Sequence, residues 1–337
     1  MPPTAKEIAN RLGLSQPTVS RILNRKDNVR HSPETRRRVL DMAAEMNYRP
    51  NAIGRALQQG RTATIAVAST FTGSLTAGNL YFAELLDGIL SESARRDYNV
   101  LIHSGIKPEK FKNAIFGDGQ ADGCIWVAPR SDDPIASELA HTNAPVVVVA
   151  SRTEHASACV LANNYQAMEM VLGHLSGLGH RRVVFVYETK PEGLFEVTER
   201  MEAFKSACLH FGIKGSLTHF ENIPGYFSVK TGASPTAALG WNDNIAITIM
   251  EEAQASGLRI PEELSVVGFD STHFCDTVTP ALTSVYQPTR EIGERAVDLL
   301  ISVIENELTK STDPDEKIHL FPCRLDIRGT TGPAWQA

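Results

Sequence analysis

The apolar positions at the start of the chain change phase once. Ile8 and Leu12 stand four apart on one helical face, and Leu14, Val19 and Ile22 begin a second run. The step from Leu12 to Leu14 breaks helical spacing, and Gly13 lies in the break. Glycine reaches the positive φ that a sharp turn between helices requires. Thr4 and Glu7 have capping-box spacing for the first helix. Ser15 is an N-cap for the second, and Pro17 sits in its first turn, where a missing N–H does no harm. Ala9 is small where the two helices would come closest. This is the pattern of a helix-turn-helix, whose second helix enters the DNA major groove. A plain helical hairpin in a bundle has the same hydrophobic spacing, so the pattern alone leaves both open.

A third helix begins at Ser32-Pro33-Glu34, with Val39, Leu40, Ala43 and Met46 forming a stripe that can cover the first two. Pro50 interrupts, a short polar helical stretch follows, and Gly60 ends it. That stretch is too short to be a stable helix in isolation. From residue 62 the pattern changes. Short β-branched runs at 64–69, 99–103, 123–128, 145–150, 158–161, 182–187, 236–241 and 264–269 alternate with helical stretches such as 81–96, 166–178 and 197–211. Alternating strand and helix predict doubly wound parallel sheets, and the length suits two of them. Ligands in such folds bind at the carboxyl ends of the strands.

Charge separates the two parts. The chain of 337 residues carries a net charge of -6, yet residues 1–61 hold twelve Lys/Arg against five Asp/Glu, and the remainder 21 against 34. A basic head on an acidic body fits a DNA-contacting module attached to a part with another task. Arg36, Arg37 and Arg38 add to the head's positive field. The five cysteines (Cys124, Cys159, Cys208, Cys275 and Cys323) form no C-x-x-C and read as buried thiols of a reducing compartment. The N-terminus leads straight into the capped helix, and no apolar run reaches 18 residues, so a cytoplasmic location is expected.

Residues 4–61 resemble the headpiece and hinge of the lactose-repressor (LacI/GalR) family. The resemblance rests on Ile8-Ala9, Gly13, Ser15, Thr18-Val19-Ser20-Arg21, Asn24, Ser32 with Thr35-Arg36, and Tyr48-x-Pro50-Asn51-Ala52-x-x-x-Ala56-Leu57. It implies that Gln16, Pro17 and Arg21 meet base edges, Arg21 with the fork that pairs with guanine. It places Thr4, Ser15, Thr18, Ser20, Asn24, Tyr48 and Asn51 at phosphates, which position without specifying. It also makes Leu57 a wedge in the minor groove, the alternative being packing of Leu57 on the body.

The resemblance continues through Asn79 to Gly88, Ala121-Asp-Gly123, Ala144-Pro-Val-Val-Val, Leu178-Gly-His-Arg-Arg182, Asn242-Asp243, Leu264-Ser-Val-Val-Gly-Phe-Asp270, Thr279-Pro-Ala-Leu-Thr283 and Arg324-Leu-x-Ile-Arg-Gly329. It implies two α/β subdomains of the periplasmic-binding-protein-like (type I) kind, crossed three times by the chain, with an effector in the cleft. A headpiece at 1–48, a hinge helix at 49–61 and an effector and dimerisation domain at 62–330 follow. The first subdomain is expected at about 62–157 plus 284–312, the second at about 158–283 plus 313–330. Arg200, Asn242 and Asp270 fall at effector positions and suit hydroxyls or a carboxylate. Tyr81, Phe82, Thr198 and Phe227 are placed nearby, with core packing as the alternative for each aromatic, and Arg152 is a further candidate. Three features depart from the family: Ala203 stands where glycine is usual, the interval from Phe227 to Asn242 is roughly ten residues short, too short for the usual helix, and the segment from His103 to Gln120 is also short.

Enzyme signatures are missing. No G-x-G-x-x-G, P-loop or G-x-S-x-G stands at a strand end, and the ten histidines form no metal-binding or catalytic cluster. No cofactor or metal is expected. The expected protein is an operator-binding repressor acting as a homodimer on a pseudo-palindrome, with a sugar or sugar derivative as effector. No heptad tail follows Arg328, so a tetramer is not implied. The competing reading is a sugar-binding or enzymatic α/β protein whose first helices are structural only.

Overall fold

The protein is described by a computed structural model. It describes residues 3–23, 32–48, 60–69, 79–103, 119–130, 144–188, 194–224, 226–227, 234–306 and 315–335, with Ala56, Leu75, Leu139 and His141 between them. The chain forms two compact units, Met1–Ala63 and Thr64–Ala337.

The first unit contains helices α1 (Ala5–Leu12), α2 (Gln16–Leu23) and α3 (Pro33–Glu45). The caps form as expected. Thr4 Oγ1 accepts from Glu7 N–H and Glu7 Oε2 accepts from Thr4 N–H, closing the capping box. Gly13 adopts φ 66°, ψ 31° and ends α1. Ser15 Oγ accepts from Thr18 N–H, and Ser32 Oγ from Thr35 N–H. Ile8, Ala9, Val19, Ile22, Val39 and Ala43 form the core, with Leu12, Leu14, Met46 and Tyr48 packed around it.

The second unit contains two six-stranded sheets. The strands and helices, in chain order, are β1 (Thr64–Ala68), α4 (Leu80–Arg95), β2 (Asn99–His103), β3 (Gly123–Val127), β4 (Val146–Val149) and β5 (Ala158–Ala162). Then come α5 (Asn164–Gly177), β6 (Arg182–Tyr187), α6 (Phe195–His210), β7 (Lys214–His219), β8 (Ala237–Gly240), α7 (Asp243–Ala255), β9 (Ser265–Asp270), β10 (Thr283–Tyr286), α8 (Thr289–Ile304), β11 (Ile318–Phe321) and β12 (Arg324–Asp326). The first sheet runs β11-β5-β4-β3-β1-β2 and is wholly parallel. The second runs β12-β10-β9-β8-β6-β7 and is parallel except at its β12 edge. The chain passes between the sheets three times: after β5, after β10 and after β11.

This pairing corrects the subdomain limits drawn from the sequence. Residues 158–162 belong to the first sheet, as do 318–321, while 283–286 belong to the second. Strand runs in a sequence do not name their partners, so pairing alone decides which sheet a run joins.

Period-two burial builds the layers. On the first sheet Ile65, Val67, Ile125, Val147 and Val149 face the buried residues of α4 and α8, whereas Ala66, Trp126, Val146 and Val148 form a separate cluster on the other face. On the second sheet Val183, Phe185 and Phe269 pack with Phe204 of α6, and Val184, Val186 and Ala238 with Ile245 and Ile249 of α7.

Helices α4 and α8 touch through backbone. A Cβ on Gly88 would collide with the carbonyl of Arg290, and one on Gly293 with that of Leu85. We expect Gly88→Ala to destabilise the protein by about 1–3 kcal/mol, since backbone cannot yield as a flexible side chain would. Urea unfolding measures this, and an unchanged midpoint would mean that the helices do not depend on so close an approach.

The short interval before Asn242 has a structural counterpart. Strands β7 and β8 both pair with β6, from opposite sides, so the chain must cross over that face of the sheet. Among the described residues of 220–236 this crossing contains a single 3₁₀ turn, Phe220–Asn222, and no α-helix. Ile223 and Phe227 are buried against the α7 side of the sheet, with Phe220 and Tyr226 packed beside them. A few large side chains cover apolar surface that a helix would otherwise cover.

Candidate functional site

Two regions carry candidate chemistry. In the first unit, Gln16, Pro17 and Arg21 are exposed on α2 while Val19 and Ile22 are buried. Helical spacing places Pro17 and Arg21 together, one turn apart, on a face left free for a partner. Ser15 and Thr18 are joined by a hydroxyl–hydroxyl bond of 2.8 Å at the start of α2, and Thr4 is committed to its capping box. Ser20 is half-buried on α2, and half-buried Tyr48 packs against the helical core. Asn24, Asn51 and Leu57 lie outside the described residues.

In the second unit a cleft of about 770 Å³ opens between the sheets. It is bounded by the start of α4, by Val127, Ala128, Pro129 and Ala150 after β3 and β4, and by the segments that follow β6, β8 and β9. This is the carboxyl-end position expected of parallel sheets. Ala128, Ala150 and Asp270 border it with positive φ values of 46°, 59° and 109°. Backbone held in that region is costly for non-glycine residues and gathers at functional sites.

Five of the expected effector residues line the cleft: Tyr81, Phe82, Arg200, Asn242 and Asp270. Asn242 Oδ1 caps α7 by accepting from Ile245 N–H at 2.9 Å. Arg200 is only 2% exposed. Its Nε donates to Asn164 Oδ1 at 3.0 Å and its Nη1 to the Trp241 carbonyl at 2.7 Å. The guanidinium lies 3.8 Å from the Phe269 ring centroid, and Nη2 lies 3.9 Å from Glu196 Oε2. Two of its five N–H donors are therefore spent on protein oxygens. Asp270 accepts from Gln287 Nε2 at 2.6 Å. Burial pushes the Asp270 carboxyl well above the usual range; Arg200 opposes this, and Asp243 and Glu196 reinforce it. Burial also raises Glu196, again against Arg200, and raises the Tyr81 hydroxyl.

Three expected contacts are corrected. Arg152 does not line the cleft: its Nη2 pairs with buried Glu199 at 2.8 Å, and its guanidinium lies 5.3 Å from the Phe195 ring centroid. Thr198 donates to the Leu194 carbonyl one turn back along α6 and is likewise absent from the lining. Phe227 is 7% exposed in the core on the α7 side of the second sheet. The abbreviated crossing needs that ring as filling, so it cannot also face a ligand.

The sequence reading missed Glu196, Trp241, His219, Glu221, Asp243 and Thr272, all of which line the cleft. Two had a usable signal. Glu196 precedes Arg200 by one helical turn, and Trp241 directly precedes Asn242 at a strand end. Asp243 is held internally, accepting from Ser284 Oγ and from Thr272 N–H at 2.7 Å.

The family model described as bacterial regulatory proteins, lacI family, matches residues 4–51, and that of the periplasmic binding protein-like domain matches 172–331. Catabolite control protein A of Staphylococcus epidermidis is 30% identical over 97% of this chain and 99% of its own length. The protein of the same name from Priestia megaterium is 28% identical with the same coverage. Among solved structures, the lac repressor dimer bound to operator and the anti-inducer ONPF superposes with a TM-score of 0.83 at 24% identity, covering 98% of this chain and 100% of that one. The transcriptional regulator CelR–cellobiose complex does so with a TM-score of 0.70 at 23% identity, covering 97% and 99%.

Proposed function

This chain belongs to the lacI family of bacterial regulatory proteins, and from that premise we propose an operator-binding repressor controlled by a small molecule in the cleft. The observation that carries this reading is the exposed face of α2. Gln16, Pro17 and Arg21 stand clear of the core on the second helix of a capped helix-turn-helix, in the basic part of an acidic protein. Gln16 and Arg21 read base edges, and Pro17 contributes apolar contact such as that with a thymine methyl. Thr4, Ser15, Thr18, Ser20 and Tyr48 serve phosphates, as do Asn24 and Asn51; Leu57 wedges the minor groove.

One headpiece reads a half-site, so the working species is a homodimer on a pseudo-palindrome. The operator-bound dimer of the lac repressor supports this assembly. The cleft serves binding and not catalysis, with Asp270, Asn242, Arg200, Tyr81 and Phe82 around the effector. CelR, a structural neighbour, was solved with cellobiose, which supports a sugar or sugar derivative as the ligand class. Effector binding changes the angle between the subdomains, and with it the pairing of the two hinge segments on DNA. A DNA regulator of this kind works in the cytoplasm, and among the described residues no helix is long and apolar enough to cross a membrane.

Selection of duplexes from a random pool by the full chain tests the reading. Enriched sequences should be two-fold symmetric, lose affinity steeply with salt, and bend on binding when their ends carry a FRET pair. Enrichment of asymmetric sequences would sink the dimeric half-site reading, and a straight complex would sink the Leu57 wedge.

A further inference from the structure

Helix α6 lies between β6 and β7 of the second sheet, yet its first turns are gripped by segments of the first subdomain. Arg152, just beyond β4 of the first sheet, donates from Nη2 to Glu199 Oε1 at 2.8 Å. The same guanidinium lies 5.3 Å from the Phe195 ring centroid. Leu194, directly before α6, forms an antiparallel bridge with Arg130, which follows β3. Phe195 and Glu199 stand one helical turn apart, so Arg152 meets one row of side chains on the helix. The adjacent row, Glu196 and Arg200, lines the cleft.

Glu199 joins the two sides and is only 6% exposed. Its Oε1 takes Arg152, and its Oε2 accepts from Asn164 Nδ2 at 2.6 Å. Asn164 Oδ1 in turn accepts from Arg200 Nε at 3.0 Å. The amide can stand only this way round, because a carboxylate needs a donor and a guanidinium an acceptor. A continuous line of hydrogen bonds therefore runs from Arg152 through Glu199 and Asn164 to the guanidinium at the cleft. A nearly buried carboxylate is costly unless it is paired. Among the described residues, Arg152 is the cation paired with Glu199. Without Arg152, Glu199 would recover its solvation only by turning to water, which requires the subdomains to part.

We propose that Arg152 and Glu199 form a latch that holds the two subdomains closed on the cleft, with Glu199 as the positioning residue that connects this closure to Arg200. The inference rests on the reading of the cleft as the effector site and adds what sets its resting angle. A ligand that touches both walls binds the closed arrangement better than the open one. The latch raises the share of chains already closed, and so raises the apparent affinity of such a ligand.

Pulsed EPR distances in the full chain test the latch without ligand or DNA. One spin label goes on Glu154→Cys, exposed on the Arg152 segment, and the other on Ser206→Cys, exposed further along α6. The five native cysteines are buried and stay unlabelled. Dilution with unlabelled chain keeps the measured distance within one protomer. Arg152→Ala should shift the distance to longer values. Glu199→Gln should do the same, because its amide oxygen still accepts from Asn164 and only the ion pair is lost. Arg152→Lys keeps the charge and should restore much of the wild-type distance. A wild-type distance in either Arg152→Ala or Glu199→Gln would overturn the latch, and a lowered urea midpoint alongside it would make the pair a brace of the fold only. That outcome would leave the effector reading of the cleft standing. Failure of every sugar to bind the wild-type chain would remove that reading and leave the latch.

Discussion

Arg21→Ala should weaken binding to the preferred operator by about 1–3 kcal/mol and relax preference at one base pair in each half-site. Arg21 is exposed in the last turn of α2, whose Val19 and Ile22 hold the helix to the headpiece core. Removing it deletes a donor fork without touching that core, so headpiece stability should hardly change. Arg21→Lys is a sharper probe: it keeps the charge but loses the planar fork, and should recover little of the specificity. Affinities for a panel of single-base operator variants provide the measurement. If Arg21→Ala weakened every duplex by the same factor, Arg21 would be a phosphate contact.

Asp270→Ala should leave binding to operator in place and abolish the response to effector, a coupling of the order of 1–3 kcal/mol in allosteric proteins. The carboxylate borders the cleft in the second unit, and the headpiece is a separate compact unit with its own core. Asp270→Asn separates charge from shape, because its amide oxygen can still accept from Gln287. The same pair exposes a pH effect. Asp270 has its carboxyl pKa raised by burial, with Arg200 opposing and Asp243 reinforcing. Between the unfolded and folded values the native state therefore holds a proton that the unfolded chain lacks, and stability falls as pH rises through that window. Wild-type protein should lose stability across that window relative to Asp270→Asn. A retained effector response in Asp270→Ala would remove the residue from the effector site, and parallel pH–stability curves would contradict the buried charge.

Much of the headpiece was legible because its determinants are local. Thr4 with Glu7, Gly13, Ser15 and Ser32 with Pro33 act within one helical turn of themselves, and each adopts the predicted cap or turn. The strands rich in Val and Ile were legible for the same reason, since a run such as 146–149 is buried on both faces whatever its partners. Strands β7, β10, β11 and β12 escaped the sequence reading. β7, β11 and β12 lie at sheet edges with polar or mixed residues, so burial imposes little pattern on them. Phe227 shows the limit from the other side: its position matched an effector contact, but the shortened crossing turned it into core.

By itself, then, the sequence determined the helix-turn-helix, the parallel α/β body, the separation of basic head from acidic body, and the strand-end positions of Asn242 and Asp270. Those follow from capping, periodicity and charge, which act over a few residues or need only counting. Tertiary structure alone decided which strands share a sheet, where the chain crosses between them, and that α4 and α8 meet backbone to backbone at Gly88 and Gly293. It also decided that Arg200 is enclosed rather than offered, and that Glu196, Asp270, Trp241 and Thr272 face one cleft. The reason is physical: desolvation, and the competition of several carboxyls for one guanidinium, depend on neighbours brought together from distant parts of the chain.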